Sequence, residues 1–125
     1  MKRRYRVRKN EDFQKIILKR RRQVGVGFIV YHSPQMMITN DRVGISVSKK
    51  LGNAVERNRI KRQVRMMVRE ITDFHNGFDI VIIVRNGYTE RSWEENKKEL
   101  LKLYKSVYNG YANKLVEENT HEKQQ

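Results

Sequence analysis

LGNAVERNRIKRQVRMMVRE, residues Leu51 to Glu70, is the stretch on which the reading of this chain turns. Successive helical residues are rotated by about 100°, so residues three and four apart share a face. Ile60, Val64, Met67, Val68 and Ile71 then fall on one apolar stripe, which predicts a helix packed against a core. Arg57, Lys61 and Arg65 form an i, i+4, i+8 row, and Asn58, Arg62, Arg65 and Arg69 form the adjacent one. Together the rows make a wide cationic face, with Arg59 outlying and with Glu56 and Glu70 placed away from it. A solvated basic face is the plain reading of such a pattern. The residues before the helix argue for more. Lys49, Lys50, Gly52 and Asn53 form a basic turn at the helix N-terminus, where free backbone N–H groups and the macrodipole already favour anions. Cations there forgo the usual acidic complement of a first turn, which a phosphate backbone can replace.

Composition points the same way. The chain has 125 residues, enough for one domain with a small core, and a formal net charge of +14. Residues 1–22 carry 11 Lys/Arg against 2 acids, and residues 49–69 carry 8 against 1. The rest of the chain nets −2, so two basic segments sit within a near-neutral domain. That arrangement calls for a polyanion, most simply nucleic acid. An anionic membrane is the competing partner, but no apolar run is long enough to span a bilayer or to form a signal peptide. With no cysteine, the chain has no disulfide, no thiolate metal site and no thiol nucleophile, which fits a cytoplasmic protein.

Taken in order, residues 1–9 form a basic arm, residues 10–115 a single α+β domain and residues 116–125 a polar tail. Asn10 is placed to cap a first helix whose opening turn holds Glu11 and Asp12, with Phe13, Ile16 and Ile17 on one face. Lys19-Arg20-Arg21-Arg22 closes that helix with more cations than capping needs, which points to nucleic-acid contact. From Val24 to Tyr31 the period becomes two, predicting one strand with Val24, Val26, Phe28 and Val30 on one face. Gly25, Gly27, Ile29 and Tyr31 take the other. Gln35–Thr39 reads as a short edge strand, and Arg42–Ser48 alternates again, with Gly44, Ser46 and Ser48 on a small, polar face left open to solvent or a ligand. His75-Asn76-Gly77 is a turn, and Phe78–Val84 reads as a central strand buried on both sides. Thr89 or Ser92 caps a last helix, Ser92 and Glu95 having capping-box spacing. Trp93, Leu100, Tyr104, Val107 and Tyr111 recur at helical spacing as core residues; Gly110 weakens or ends the helix. The expected architecture is a small mixed sheet packed with three helices, in the order α-β-β-(β)-α-β-α.

A hydrolytic centre in the polypeptide itself is not visible. His32, His75 and His121 are scattered, without the spacing of a metal site, and Asp12 and Asp41 are lone acids explained by capping. Phosphate-loop and nucleophile-elbow motifs are absent.

The spacing Leu51-x-x-Ala54-x-x-Arg57-Asn58-Arg59-Ile60-Lys61-Arg62-x-Val64-Arg65 resembles the signature of the bacterial ribonuclease P protein subunit, often called the RNR motif. Asn10-Glu11-Asp12-Phe13, Val43 to Lys50 and the apolar strand at 78–84 extend the resemblance over roughly residues 5 to 108. The family implies a left-handed βαβ crossover through 42–48, 54–71 and 78–84. It also implies that a separate RNA subunit is the catalyst, using magnesium, and removes the 5′ leader of precursor tRNA. No cofactor is expected on the protein, and no further protein partner is required. By the same resemblance Lys49, Lys50, Asn53, Arg57, Asn58, Arg59, Lys61, Arg62 and Arg65 meet the RNA subunit. Phe13, Ile17 and Tyr31 would line a leader cleft between the first helix and the open sheet face, with Tyr31 the favoured stacking residue. Where relatives often carry Phe, Ile17 keeps the apolar contact and loses the ring. Two other readings stay open on the residues alone: a ribosomal-type RNA-binding module, and a membrane-surface or DNA-architectural protein. The Arg-Asn-x-x-Lys-Arg spacing favours the first family over both.

Overall fold

Phe78–Val84 (β4) is the strand around which the sheet is assembled. A computed structural model of the chain describes residues 3–34, 40–72, 74 and 77–123, with side chains as far as residue 109. Its elements are α1 (Asn10–Leu18), β1 (Arg22–Val24), β2 (Phe28–Pro34), β3 (Arg42–Val47), α2 (Ala54–Ile71), β4 and α3 (Trp93–Lys123). The sheet order is β1-β2-β4-β3, with β4 antiparallel to β2 and parallel to β3. The parallel pair needs a crossover, which α2 provides. Both expected features of the centre are therefore present: α+β architecture, and an almost continuously buried β4.

One sheet face carries the main core. Ile60, Val64, Met67 and Val68 of α2 and Leu100, Leu103, Tyr104 and Val107 of α3 bury against Phe28, Val30, Val43, Val47, Ile80, Ile82 and Val84. Each such side chain contributes about 1.5–3 kcal/mol relative to exposure. The predicted stripe on α2 is thus the buried one, with Ile71 half-buried at its end. Beneath it Asp41, fully buried, does more than cap a turn: its carboxylate accepts from the Phe78 N–H at 2.8 Å and from the Thr72 and Tyr108 hydroxyls at 3.4 Å.

The other face is read across the sheet by register. Gly44, Val81, Tyr31 and Arg22 form one row, and Ser46, Ile83, Ile29 and Val24 form the next. Helix α1 covers the first row. The Phe13 ring lies on Gly44, and Ile16 packs with Val7, Tyr31 and Val81. Asp12 reaches Arg42 at 3.6 Å, Arg42 makes two 2.9 Å bonds to Asp79, and Lys19 donates to the Ser33 hydroxyl at 2.8 Å. Small residues on this face are therefore not uniformly an open surface: Gly44 is small because an aromatic ring occupies the space of its side chain.

Several local expectations are corrected. Val24–Tyr31 is not one strand but the turn of a hairpin, with Val24 opposite Ile29. Val24 and Val26 are 54% and 59% exposed, whereas Phe28 and Val30 are buried, so the alternation spans a reversal. Gly25 N–H donates to Phe28 O, Gly27 N–H to Glu99, and Arg85 bonds the Gly25 carbonyl, which fix the turn. Helix α1 ends at Leu18; Arg20 has φ 57, and Arg22 already belongs to β1, so the four-cation run does not close a helix. Its N-cap is Lys9, whose carbonyl accepts from Asp12 and Phe13, and Asn10 is the first helical residue. Helix α3 passes Gly110 and runs to Lys123, because a glycine costs a helix interior only about 1 kcal/mol. Its start matches expectation: Ser92 Oγ accepts from Glu95 N–H and Ser92 N–H donates to the Glu95 carboxylate. Gln35–Thr39, His75 and Asn76 lie outside the described residues; Gly77 has φ 77, a conformation that favours glycine.

A Cβ on Gly44 would stand 2.7 Å from Phe13 Cε1. Gly44→Ala is expected to lower stability by about 1–3 kcal/mol, the range of an overpacked site. The double variant with Phe13→Leu should recover part of that loss. Thermal denaturation of the three proteins checks both outcomes.

Candidate RNA interface

Strand β3 delivers the chain to α2 through a short, tightly specified turn. Ser48 Oγ accepts from Lys50 N–H at 3.2 Å and opens a 3-10 turn over Lys49–Leu51. Gly52 follows at φ 143, a conformation that favours glycine. Asn53 is the N-cap of α2: its Oδ1 accepts from Glu56 N–H at 2.9 Å. Because α2 begins at Ala54, Glu56 falls in its first turn, so the helix start does not lack an acid as expected. Lys49, Lys50 and Asn53 are exposed around this cap.

Burial of the apolar stripe fixes how α2 is rotated, and so where its cations go. Asn58, Arg62 and Arg69 are exposed, and Arg57, Lys61 and Arg65 are half-buried along one flank. Among the described residues, none of these cations forms an ion pair; the ion pairs present are made by Arg42, Arg91 and Lys97. Burial lowers the Arg65 pKa, and the neighbouring Arg6 lowers it further. Arg59 stands apart, as the helical spacing implies. It lines a hollow of about 200 Å³ with Gln63, Tyr88 and Trp93 on the α3 side. Tyr88 donates to Gln63 Oε1 at 2.7 Å, and burial pushes its phenol up to about 12 despite the nearby Arg59.

The second candidate surface lies where α1 stops covering the sheet. Ser46 and Val24 are exposed and Ile29 and Ile83 half-buried, so the second cross-strand row remains accessible beside the half-buried Phe13 and Ile17. Tyr31 is placed differently from expectation. It is only 9% exposed, packed beneath α1, and its hydroxyl accepts from Arg22 at 3.3 Å. Gly25 and Gly27 belong to the hairpin turn and do not flank it. Ile83 joins this surface through a strand distant in sequence, and Val24 and Arg22 join it because the hairpin folds them back beside Ile29 and Tyr31, neither of which leaves a mark in local periodicity. Ile29 was recognisable only as a neighbour of Tyr31.

Of the histidines, His32 is buried, and burial, then Arg21, lowers its pKa. His75 is outside the described residues, and His121 lies where only the backbone of α3 is described. Among the described residues no three His, Cys, Asp or Glu side chains are grouped to hold a metal ion, and no helix is long and apolar enough to cross a membrane.

A three-helix, four-stranded α+β domain with an uncompensated basic helix defines a small protein built to hold a polyanion. A family model for ribonuclease P matches residues 1–108. The ribonuclease P protein component of Bacillus cereus (strain G9842) is 43% identical over 106 residues, spanning 84% of this chain and 92% of that protein. The solved RNase P protein of Staphylococcus aureus is 37% identical with a TM-score of 0.75, covering 82% of this chain and 94% of the other. That of Thermotoga maritima is 30% identical with a TM-score of 0.69, covering 78% and 93%. A further S. aureus structure, 37% identical and with a TM-score of 0.75, is of an RNase P protein mutant with defective mRNA degradation activity; it covers 82% of this chain and 87% of that one. The chain belongs to the bacterial ribonuclease P protein family. It is accordingly a protein component of the tRNA 5′-processing endonuclease whose RNA subunit is catalytic, and its partner is that RNA.

Asn53 separates cap from contact. Asn53→Ala is expected to cost about 1 kcal/mol of stability through loss of the cap. Asn53→Asp keeps the cap and should hold the thermal midpoint, while adding a negative charge that weakens RNA affinity. Melting curves and RNA titrations on the same two variants test the pair of outcomes.

Proposed function

We propose that Lys49, Lys50, Asn53, Arg57, Asn58, Arg59, Lys61, Arg62 and Arg65 contact the ribonuclease P RNA, and that the open sheet row beside α1 receives the 5′ leader of precursor tRNA. The observation that carries the first part is the absence of carboxylate partners along α2 among the described residues, on a face whose orientation the buried stripe dictates. A phosphate backbone supplies the missing counter-charge. Magnesium belongs to the RNA subunit in this reading; the protein acts in the cytoplasm on nascent tRNA and requires no protein partner.

The leader cleft is lined by Phe13, Ile17 and Tyr31, with Ile29 and Ile83 as its accessible apolar floor. Its shape supports single-stranded RNA, since half-buried apolar groups present edges on which splayed bases rest. Phe13 is the more accessible ring, while Tyr31 supports the floor from below. The domain limits proposed are 10–115 for the RNA-binding body, with the arm before and the tail after.

Alanine replacement of Arg57, Lys61, Arg62 or Arg65 should weaken RNA binding without unfolding the protein. Each lost phosphate contact should also flatten the dependence of log affinity on log salt by about 0.7–0.9. An unchanged slope in all four variants would leave the face merely solvated.

Rigorously RNA-free protein is expected to leave precursor tRNA uncut, and its addition should lower the magnesium needed by the catalytic RNA. Protein-borne cleavage abolished only by a point substitution would overturn the assignment. An mRNA substrate run in parallel reports whether the activity named for the S. aureus protein extends to this chain.

For the cleft, the informative ratio is holoenzyme affinity for precursor over mature tRNA. Ile17→Phe should keep or raise that ratio, and Phe13→Leu, which removes the more accessible ring but keeps an apolar side chain over Gly44, should lower it by about five-fold or more if stacking is lost. Equal losses for both substrates in Phe13→Leu would sink the cleft.

A further inference from the structure

Strand β3 is an edge of the sheet, and a bare edge exposes unpaired backbone donors and acceptors. The segment before α1 covers it. Arg6 pairs with Val43 as a parallel bridge, Val7 N–H donates to Val43 O at 3.1 Å, and the Val7 side chain is buried. Upstream, Tyr5 stacks on Phe74 at 4.6 Å and Asn40 donates to the Arg4 carbonyl at 2.8 Å. The basic N-terminal arm is thus docked, by apolar and backbone contacts that do not use its charges.

Docking carries Arg6 to the flank of α2. Its charge acts on Arg65, disfavouring a guanidinium already penalised by burial. The Nε atoms of both Arg6 and Arg57 are buried without a hydrogen-bond partner. Among the described residues, no carboxylate lies within ion-pair range of Arg6, Arg57, Lys61 or Arg65. Guanidinium groups do not shed their protons at neutral pH, so titration cannot relieve this crowding. An anion can. Arginine's planar fork suits a phosphate oxygen pair in particular.

We propose that Arg6 joins Arg57, Lys61 and Arg65 in one phosphate-binding seam, so that docking of the N-terminal arm on β3 and binding of the RNA subunit are thermodynamically coupled. This rests on the reading that the basic flank of α2 contacts that RNA. Coupling is reciprocal: phosphates in the seam hold the arm on the strand edge, and a docked arm presents one more cation to the RNA. Without RNA, the Arg6–Arg65 repulsion works against docking.

The test uses Arg6→Met, which keeps the apolar stem and removes the charge, in the full chain with catalytic ribonuclease P RNA. The thermal midpoint without RNA should stay equal or rise, because a repulsion is removed. RNA affinity should fall about tenfold, the order of one charge-assisted hydrogen bond. The salt slope should fall by about 0.7–0.9. Hydrogen exchange at the Val7 amide should slow on RNA binding in the wild type and respond less in the variant. Unchanged affinity and slope in Arg6→Met, with losses in Arg57→Ala and Arg65→Ala, would remove the arm from the seam and leave the helix reading standing. A lower midpoint with an intact salt slope would reduce Arg6 to an edge cover and likewise overturn the proposal. If none of the three variants alters RNA binding, the helix reading itself fails.

Discussion

Everything that α2 presents outward depends on the burial of its apolar stripe. Ile60, Val64, Met67 and Val68 enter the core formed by three strands and α3, and a helix anchored through four such residues cannot rotate about its axis without exposing them. The cationic rows are consequently held at fixed angles to the sheet. Arg65 neighbours Arg6 on the arm that pairs with β3, and Arg59 faces the hollow beside Tyr88. Hydrophobic packing here sets electrostatic geometry, although no charged group takes part in the packing itself.

The sheet divides its two faces between stability and access. The face toward α2 and α3 is a close-packed core. The other is only partly covered, because α1 is nine residues long and is tied at one end by the Asp12–Arg42–Asp79 network and at the other by Lys19 on Ser33. A longer or differently tilted helix would close the row of Ser46, Ile83, Ile29 and Val24. Gly44 belongs to the same arrangement, since any side chain there would lift Phe13 and the helix with it.

The hairpin tip shows a comparable economy. Gly27 N–H donates to Glu99 at 2.8 Å, and Arg91 bonds the other carboxylate oxygen at 2.5 Å, so α3 clamps a turn that borders the accessible row. Burial acts to raise the Glu99 pKa, but the Gly27 N–H and the Arg91 guanidinium outweigh it and hold the group below its ordinary value. The exposed Val24 and Val26 are thereby kept on a defined turn.

The residues of α2 were legible in the sequence because a helix of period 3.6 decides which side chains share a face before any tertiary contact forms. The apolar stripe, the basic rows, the outlying Arg59 and the buried β4 all follow from such local periodicity. The Ser92 capping box is legible for the same reason. Most of the expectations that failed turned on contacts made outside the segment itself. Val24–Tyr31 alternates like a strand, yet the Glu99 and Arg85 contacts that hold its turn come from 60 or more positions away. Gly44 looked like open surface until Phe13 was brought onto it, and Tyr31 looked accessible until α1 covered it. The proximity of Arg6 to Arg65 was beyond reach for the same reason: strand order and edge pairing are selected by non-local burial and hydrogen bonding, which leave no periodic mark on either segment. The chain's own pattern determined that it would present a basic helix. Only the tertiary structure decided which other cations that helix would meet.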